Sequence, residues 1–219
     1  MCYNKKMAIV IKGVENVANN EIFNHLAENY DTEGRKEIAT HTAYTIREYL
    51  IQQGIQGGSM IDYGCGTGLV GLELADLFEE VTFIDASPKM VEAVKEKISA
   101  KNVSNARALC ADAALELNKN VKGDVLILTQ VLLHEPDTRA LMEKLCEATN
   151  PNGHIIIVDF ERNDAVDSDR VHAGFELMQL QADLLYAGFE PIHSHLFLHA
   201  EKYFMGQDAS LFILVGKKV

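Results

Sequence analysis

The sequence predicts a doubly wound α/β domain built on a mainly parallel sheet. Two observations support this fold class. Short apolar segments typical of buried strands alternate with segments of helical periodicity from about residue 59 onward. A glycine-rich turn then joins the first of these strands to the helix that follows it. The 219 residues suit one domain, 1–219, with a helical N-terminal extension over 1–54 and a core over 55–219.

The N-terminal extension is predicted to be helical because its apolar residues recur at helical spacing. One helix is expected from about Asn20, and a second from about Glu33 to Gln53. Three glycines, at positions 54, 57 and 58, end the second helix.

The core is predicted to alternate strands and helices. Five strands are expected at Met60–Tyr63, Val81–Ile84, Ala106–Ala111, Val125–Leu128 and Ile155–Val158. Helices are expected at Leu69–Phe78, from Pro88 (after the N-cap Ser87) to Ala100, at Thr138–Thr149 and at Phe175–Tyr186.

Two further strands, Pro191–Leu198 and Ser210–Val215, have no long helical pattern between them, so they should be antiparallel neighbours.

Charge and cysteine content narrow the class of protein. The net charge of −12 disfavours nucleic-acid partners and anionic membranes and favours a small-molecule ligand. The four cysteines form no CxxC pair, which predicts reduced thiols and no zinc site. No signal peptide or membrane span is recognisable, so a cytoplasmic location is expected. No sequence pattern indicates the oligomeric state.

The most informative segment runs from Asp62 to Gly68, Asp-Tyr-Gly-Cys-Gly-Thr-Gly, between a strand and a helix. Its alternate glycines allow a tight turn and a close approach of a ligand to the backbone. Asp85, 21 residues after Gly64, ends the next strand, where it can accept hydrogen bonds from ribose hydroxyls.

Two cofactor classes fit this arrangement, and the first is a dinucleotide. The overlapping stretch Gly66–Gly71 matches G-x-G-x-x-G, which would imply a dinucleotide and an NAD-dependent oxidoreductase. In a dinucleotide site the first glycine follows the strand directly. Here the match begins two residues later, and the acid Asp62 lies at the end of the strand. A cofactor-binding protein without catalytic activity, and carboxymethyl transfer from a modified cofactor, are further alternatives.

The sequence resembles the class I S-adenosylmethionine-dependent methyltransferases over about residues 27–217. Their first motif, an acid, one residue and then G-x-G-x-G, is matched at Asp62, Gly64, Gly66 and Gly68. Acids follow the second and third strands, and the segment from Gln130 to His134 and the Asn-Pro-Asn-Gly turn at 150–153 are similar to later motifs. The resemblance implies a Rossmann-like seven-stranded sheet of order 3-2-1-4-5-7-6, with the last strand antiparallel.

The resemblance also implies a set of cofactor-binding residues. The glycine loop would lie along the methionine part of S-adenosylmethionine, with Asp62 near its ammonium group and Asp85 on the ribose. The implied set is Tyr30, Asp62, Gly64, Cys65, Gly66, Gly68, Asp85, Ala86, Met90, Asp112, Ala113 and Gln130. Ala86 and Met90 would pack near the adenine, and Asp112 would accept from its amino group. Tyr30 and Asp31 resemble the segment that closes over the cofactor, and residues 20–53 and 161–175 would form the lid.

Two histidines are candidate general bases. His134 follows the fourth strand, and His172 lies in a His-x-Gly-Phe segment that resembles a substrate-side segment of the family. For both, a structural role in a loop is the alternative.

No metal site is predicted. Three histidines at 193, 195 and 199 and an acidic run from Asp159 to Asp169 are interpreted as solvated surfaces, with metal binding as the alternative.

Overall fold

A computed structural model of the protein describes residues 23–111 and 121–219. One seven-stranded sheet forms its centre, with the strands in the order β3-β2-β1-β4-β5-β7-β6. The strands are β1 Ser59–Tyr63, β2 Glu80–Asp85, β3 Ala106–Cys110, β4 Gly123–Thr129, β5 Thr149–Phe160, β6 Phe189–Phe204 and β7 Gln207–Lys218. Strands β1 to β5 pair in parallel, whereas β7 is antiparallel to both β5 and β6. The predicted fold class, strand order and antiparallel last strand are confirmed.

Helices connect the strands and cover the sheet. The α-helices are α1 Glu33–Gln52, α2 Gly71–Leu74, α3 Pro88–Ala100, α4 Thr138–Ala148 and α5 Leu177–Tyr186. Short 3₁₀ turns lie at Ala27–Asn29, Ala75–Leu77 and Leu132–His134. The side chains of Thr32, Ser87 and Asp137 accept from backbone N–H groups three residues later, which caps α1, α3 and α4.

Several elements differ from the sequence prediction. Strand β5 begins at Thr149, so it includes the Asn-Pro-Asn-Gly segment 150–153 that was expected to be a turn. The helix expected over Leu69–Phe78 begins only at Gly71 and tightens into a 3₁₀ turn after Leu74. The backbone N–H of Gly71 donates to the carboxylate of Asp62. Strand β6 is longer than predicted at both ends, and it tolerates Pro191 because it lies at the edge of the sheet.

The apolar core lies in two layers, one on each face of the sheet. Residues of α1 and α3, including Ile46, Leu50 and Val94, pack on one face. Residues of α4 and α5, including Leu145 and Leu184, pack on the other face with Leu126.

No described helix combines the length and apolar character needed to cross a membrane.

Leu126 tests this core. It is 0% exposed in the central strand β4, so Leu126→Ala should lower the free energy of unfolding by about 2–5 kcal/mol. The measurement is equilibrium unfolding in urea. Met178→Ala, at a site that is 84% exposed on α5, is the control and should change it by less than about 0.5 kcal/mol. Equal effects of the two variants would contradict the packing described.

Candidate active site

The glycine loop after β1 has the conformation that its sequence requires. Gly64, Gly66 and Gly68 have φ values of 65°, 53° and 77°, which side-chain-bearing residues rarely adopt. A Cβ atom at Gly64 would lie 2.6 Å from Cγ2 of Val131. A Cβ at Gly66 would lie 3.6 Å from the ring of Tyr30. The loop therefore keeps its backbone open toward a narrow space under Tyr30.

Asp62 lies buried beneath this loop, with only 1% of its surface exposed. It accepts a hydrogen bond from the N–H of Gly71, whereas its Oδ1 atom has no partner among the described residues. Burial and the nearby charge of Asp85 raise its pKa to about 7. A buried carboxylate oxygen without a partner is the group that an ammonium or other cationic donor would satisfy.

Asp85 joins the end of β2 to the glycine loop. Its Oδ2 accepts from the N–H of Gly66 at 2.8 Å, and its Oδ1 accepts from the N–H of Ser87 at 2.8 Å. Burial raises the pKa of this carboxyl, and the backbone N–H groups of Ser87 and Gly66 oppose the rise. Asp62 and Asp85 thus place two partly uncompensated acids on the same side of the loop.

Residues 23–31, here called the strap, cross the carboxyl edge of the sheet. The ring of Phe23 meets His134 edge-on at 5.1 Å. The hydroxyl of Ser87 donates to Asn24 at 2.7 Å. Tyr30 covers Gly66, as described above. The strap therefore contacts residues that follow β1, β2 and β4.

Asp31 fastens the end of the strap. Its carboxylate pairs with the ammonium of Lys97 at 2.6 Å and accepts from the hydroxyl of Thr67. Burial acts to raise the pKa of Asp31, but the hydrogen bonds from Lys97 and Thr67 outweigh it and hold the pKa below its ordinary value. Lys97 also donates to the carbonyl of Thr67 at 2.8 Å. One ion pair thus joins the strap, helix α3 and the glycine loop.

An open cleft lies between the glycine loop and helix α1. Five predicted cofactor-binding residues line it, namely Tyr30, Gly64, Cys65, Gly66 and Gln130. The loop, α1 and the ends of β4 and β6 supply the rest: Arg35, Ala39, Thr42, Thr67, Leu69, Val70, Thr129 and Tyr203. Burial raises the pKa of the Cys65 thiol, which keeps it in its unreactive protonated form.

Arg35 and Tyr203 are cleft residues that the sequence prediction missed. The guanidinium of Arg35 lies 4.2 Å over the ring of Tyr30 and donates to the Tyr30 carbonyl at 3.1 Å. The hydroxyl of Tyr203 hydrogen-bonds to the side chain of Gln130, and burial raises the pKa of this phenol. Gln130 itself has a φ of 56° at the end of β4. No motif marks Arg35 or Tyr203, because each reaches the cleft through the packing of a distant element.

The two candidate histidines are not among the described residues that line this cleft. Burial lowers the pKa of His134 to about 4, so its ring is neutral near pH 7. His172 Nε2 lies 2.8 Å from the carbonyl of Glu135, and its backbone N–H donates to Leu133. The structure thus brings both histidines to the segment 132–135.

The remaining predicted residues surround the loop or lie outside the described chain. Gly68, the last glycine of the loop, packs against helix α3: a Cβ atom at Gly68 would lie 3.3 Å from Cγ2 of Val94. Ala86 is half-buried directly after Asp85, and Met90 is buried on the first turn of α3. Asp112 and Ala113 lie outside the described residues.

Two sets of residues were interpreted as solvated surfaces: the histidines at 193, 195 and 199, and the acidic run from Asp159 to Asp169. His193 and His195 do share one face of β6, and their ring nitrogens lie 2.9 Å apart. The interpretation of Asp159 as part of a hydrated acidic surface is wrong, because it is 0% exposed and accepts from the N–H of Leu133. Burial raises its pKa to about 7. Within residues 23–111 and 121–219, no group of three or more ligating side chains is placed to hold a metal ion.

Comparison with known proteins identifies the family. Residues 56–201 match the family described as "Methyltransferase domain". The chain belongs to this family. The predicted resemblance to methyltransferases is confirmed, and none of the relatives reported below is named as an oxidoreductase.

Two relatives and one solved structure are similar to the chain. The chain is 28% identical over 155 residues to a mitochondrial ubiquinone biosynthesis O-methyltransferase of Schizosaccharomyces pombe, covering 67% of this chain and 57% of that protein. It is 24% identical over 143 residues to a ubiquinone biosynthesis O-methyltransferase of Coxiella burnetii, covering 64% and 61%. The chain therefore spans about three fifths of the length of these relatives.

The solved structure is magnesium protoporphyrin IX methyltransferase from Synechocystis PCC 6803 with bound SAM. It superimposes with a TM-score of 0.71 at 17% identity, covering 97% of this chain and 100% of that one. At this identity the similarity shows the shared fold of the methyltransferase domain.

The pKa of Asp62 has a measurable effect on stability. Because the folded protein keeps the proton up to about pH 7 and an unfolded aspartate loses it near 3.8, folding becomes less favourable as the pH rises between these values. The free energy of unfolding of the wild type, minus that of Asp62→Asn, should fall by a few kcal/mol, on the order of 1.36 per pKa unit, across this interval and stay constant above it.

Urea unfolding at several pH values from 4 to 8 gives this difference. Asp159 and His134 are present in both proteins, so their titrations cancel. A difference that rises with pH, or does not change with it, would mean that Asp62 is not held protonated by burial.

Proposed function

We propose that this chain transfers a methyl group from S-adenosylmethionine to a small-molecule acceptor. The observation that carries the proposal is a pair of acids at an open glycine loop, the buried Asp62 and the half-buried Asp85. They suit a ligand with cationic groups and a ribose, whereas a dinucleotide pyrophosphate would meet repulsion there. The family membership supports the same function.

The residues present fit this cofactor. The unpartnered Oδ1 of Asp62 would accept from its ammonium group, and Asp85 would accept from the ribose hydroxyls. Gly64 and Gly66 leave room along the backbone, and the ring of Tyr30 covers the same space. Gln130 also lines the cleft. Ala86 and Met90, with Asp112 and Ala113, would hold the adenine. When bound, the cofactor supplies a methyl group on a positively charged sulfur, which makes the displaced thioether a good leaving group.

Asp62 would couple cofactor binding to a proton. Its carboxyl keeps a proton up to about pH 7 when no cation is present. Contact with an ammonium group favours the ionised form, so binding near neutral pH would release the proton. The new ion pair is shielded from water, which strengthens the attraction.

The chain's contribution to the reaction is chiefly positioning. Methyl transfer needs the acceptor atom in line with the carbon–sulfur bond, and holding both partners in place can lower the barrier by up to roughly 7–11 kcal/mol. The strap and α1 close the cleft on two sides, so they would exclude water and orient the acceptor. The net charge of −12 favours a small molecule over nucleic acid as acceptor, and a cytoplasmic location stays a prediction.

His134 and His172 remain the proposed bases for acceptors that must lose a proton. His134 is neutral near pH 7, so it can accept a proton, although its low pKa makes it a weak base. The Nε2 of His172 is engaged by the Glu135 carbonyl, so this ring would act through its other nitrogen or by positioning the segment.

The first test is thermal unfolding with S-adenosylhomocysteine, S-adenosylmethionine or NADH. A ligand at 100 times its dissociation constant stabilises the fold by about 2.7 kcal/mol, which corresponds to roughly 5–11 °C for a chain of this length. We expect this shift with both adenosyl ligands and none with NADH. A shift with NADH alone would restore the oxidoreductase alternative.

Matched variants connect this shift to the site. Asp85→Asn keeps the side-chain shape but removes the charge, so it should weaken S-adenosylhomocysteine binding by about 10- to 100-fold in calorimetry. Asp76→Asn is the control, because Asp76 is an exposed acid that pairs with Arg47. It should bind the ligand as the wild type does.

Methyl transfer from radiolabelled S-adenosylmethionine to a panel of small hydroxylated molecules tests the histidines, since the relatives are named as O-methyltransferases. If His134 is the base, His134→Gln should lower kcat by about 10²–10⁴-fold with little change in cofactor affinity. His172→Gln, measured in parallel, separates the two candidates. An unchanged kcat for both variants with an accepted substrate would assign all of the rate enhancement to positioning.

A further inference from the structure

We propose that the cleft takes a hydroxylated acceptor and not an amine, and that Tyr203 and Thr42 bind the hydroxyl group of this acceptor. The proposal rests on the proposed function and extends it, because it names the chemical class of the acceptor. Both residues line the cleft, Tyr203 from the end of β6 and Thr42 from α1. Neither belongs to the glycine loop or to the strap.

Tyr203 is the first component of this site. Its ring packs against Phe160, with the ring centroids 6.0 Å apart, which orients the side chain. Burial raises the pKa of the phenol, and the hydrogen bond with the Gln130 side chain opposes the rise. A hydrogen bond that lowers the pKa of a phenol is one donated to its oxygen, so Gln130 is the donor. The Tyr203 hydroxyl therefore stays protonated near pH 7 and keeps its own proton for a ligand.

Gln130 supports Tyr203 from a strained backbone position. Its φ of 56° lies in the left-handed region, which residues with side chains rarely adopt. Its backbone N–H donates to the carbonyl of Val158 at 2.7 Å, which ties the residue to β5. Strain of this kind persists where the surrounding structure holds it, and it is concentrated at ligand sites.

Thr42 provides an independent observation. It is 1% exposed, and its hydroxyl has no partner among the described residues. On the same helix, the hydroxyl of Thr45 donates to the carbonyl of His41 at 2.9 Å. A buried hydroxyl that finds no such partner destabilises the free protein. Because Thr42 lines the cleft, a ligand there can supply the missing partner.

The charges at the cleft disfavour a cationic acceptor. No aspartate or glutamate is among the described residues that line the cleft, and Arg35 adds a permanent positive charge. The bound cofactor would add a positively charged sulfur. A protonated amine would meet repulsion from both charges, whereas a hydroxyl can donate to and accept from Tyr203 and Thr42. Apolar contacts for the rest of such an acceptor come from Ala39, Leu69 and Val70.

Three probes of similar shape test the chemical class. Benzyl alcohol, benzylammonium and ethylbenzene differ in one terminal group, which is a hydroxyl, an ammonium and a methyl group. Each is titrated into wild-type protein saturated with S-adenosylhomocysteine, and ligand-observed NMR gives the dissociation constants. We expect benzyl alcohol to bind at least about tenfold more tightly than the other two, because its hydroxyl satisfies the polar groups of the cleft without adding a charge.

Tyr203→Phe removes the hydroxyl and keeps the ring. The preference for benzyl alcohol over ethylbenzene should fall below about threefold, whereas the affinity for S-adenosylhomocysteine should change by less than about threefold. Tyr44→Phe is the matched control, since Tyr44 is 63% exposed on α1, and it should change neither titration. An equal loss of affinity for S-adenosylhomocysteine and for benzyl alcohol would assign Tyr203 to the cofactor and overturn the proposal.

Thr42→Val separates binding from folding. Removing an unpartnered buried hydroxyl should leave the melting temperature of the free protein unchanged or raise it by about 2–4 °C. The same variant should weaken benzyl alcohol by about fivefold. Thr45→Val, which removes a hydroxyl already bonded within α1, is the control and should leave this affinity unchanged. A lowered melting temperature with unchanged affinity would overturn the assignment of Thr42.

The proposal is overturned if the wild type binds benzylammonium or ethylbenzene as tightly as benzyl alcohol, if it binds none of the three, or if Tyr203→Phe keeps the wild-type preference. If the wild type binds no adenosyl ligand, the methyltransferase proposal fails. The same titrations of the unliganded wild type and of Tyr203→Phe then still decide whether the cleft binds a hydroxyl group.

Discussion

The carboxyl edge of the sheet is built around one buried carboxylate, Asp62. It accepts from the N–H of Gly71, the first residue of α2. A Cβ at Gly71 would clash with Oδ2 of Asp62 and would lie 2.6 Å from Cε1 of Phe83, so only glycine allows this approach. The loop between them turns through glycines with positive φ, and the N–H of Gly66 donates to Asp85.

Around this acid the protein separates charge across a narrow space. Acids occupy the sheet side, where parallel strands end, and a guanidinium occupies the side of α1. The strap connects these sides, because Asp31 pairs with Lys97 and the ring of Tyr30 lies close to both Gly66 and Arg35. A short ligand with charges of both signs matches this separation better than a polyanion does.

Sequence patterns predicted most of the fold because they report on burial, which is local to each element. Most strands and the Ser87-Pro88 helix start were placed within a few residues, whereas β5 begins and β6 ends well beyond the predicted bounds. The strand order followed from the family resemblance. The patterns could not reveal Arg35 or Tyr203, since docking of α1 and β6 decides which of their faces meets the cleft. Asp159 was misjudged for a related reason: its exposed-looking acidic neighbourhood does not show that β5 carries it beneath the 132–134 turn.

The outermost strand, β6, has a consequence for association between copies of the protein. An edge strand of 16 residues leaves a row of backbone donors and acceptors that a second chain could extend. Pro191 removes one donor, and irregular register near positions 191–193, 196–198 and 200–204 interrupts a flat edge. Resistance of this protein to edge-to-edge association should therefore depend on the irregularities of its edge strand β6.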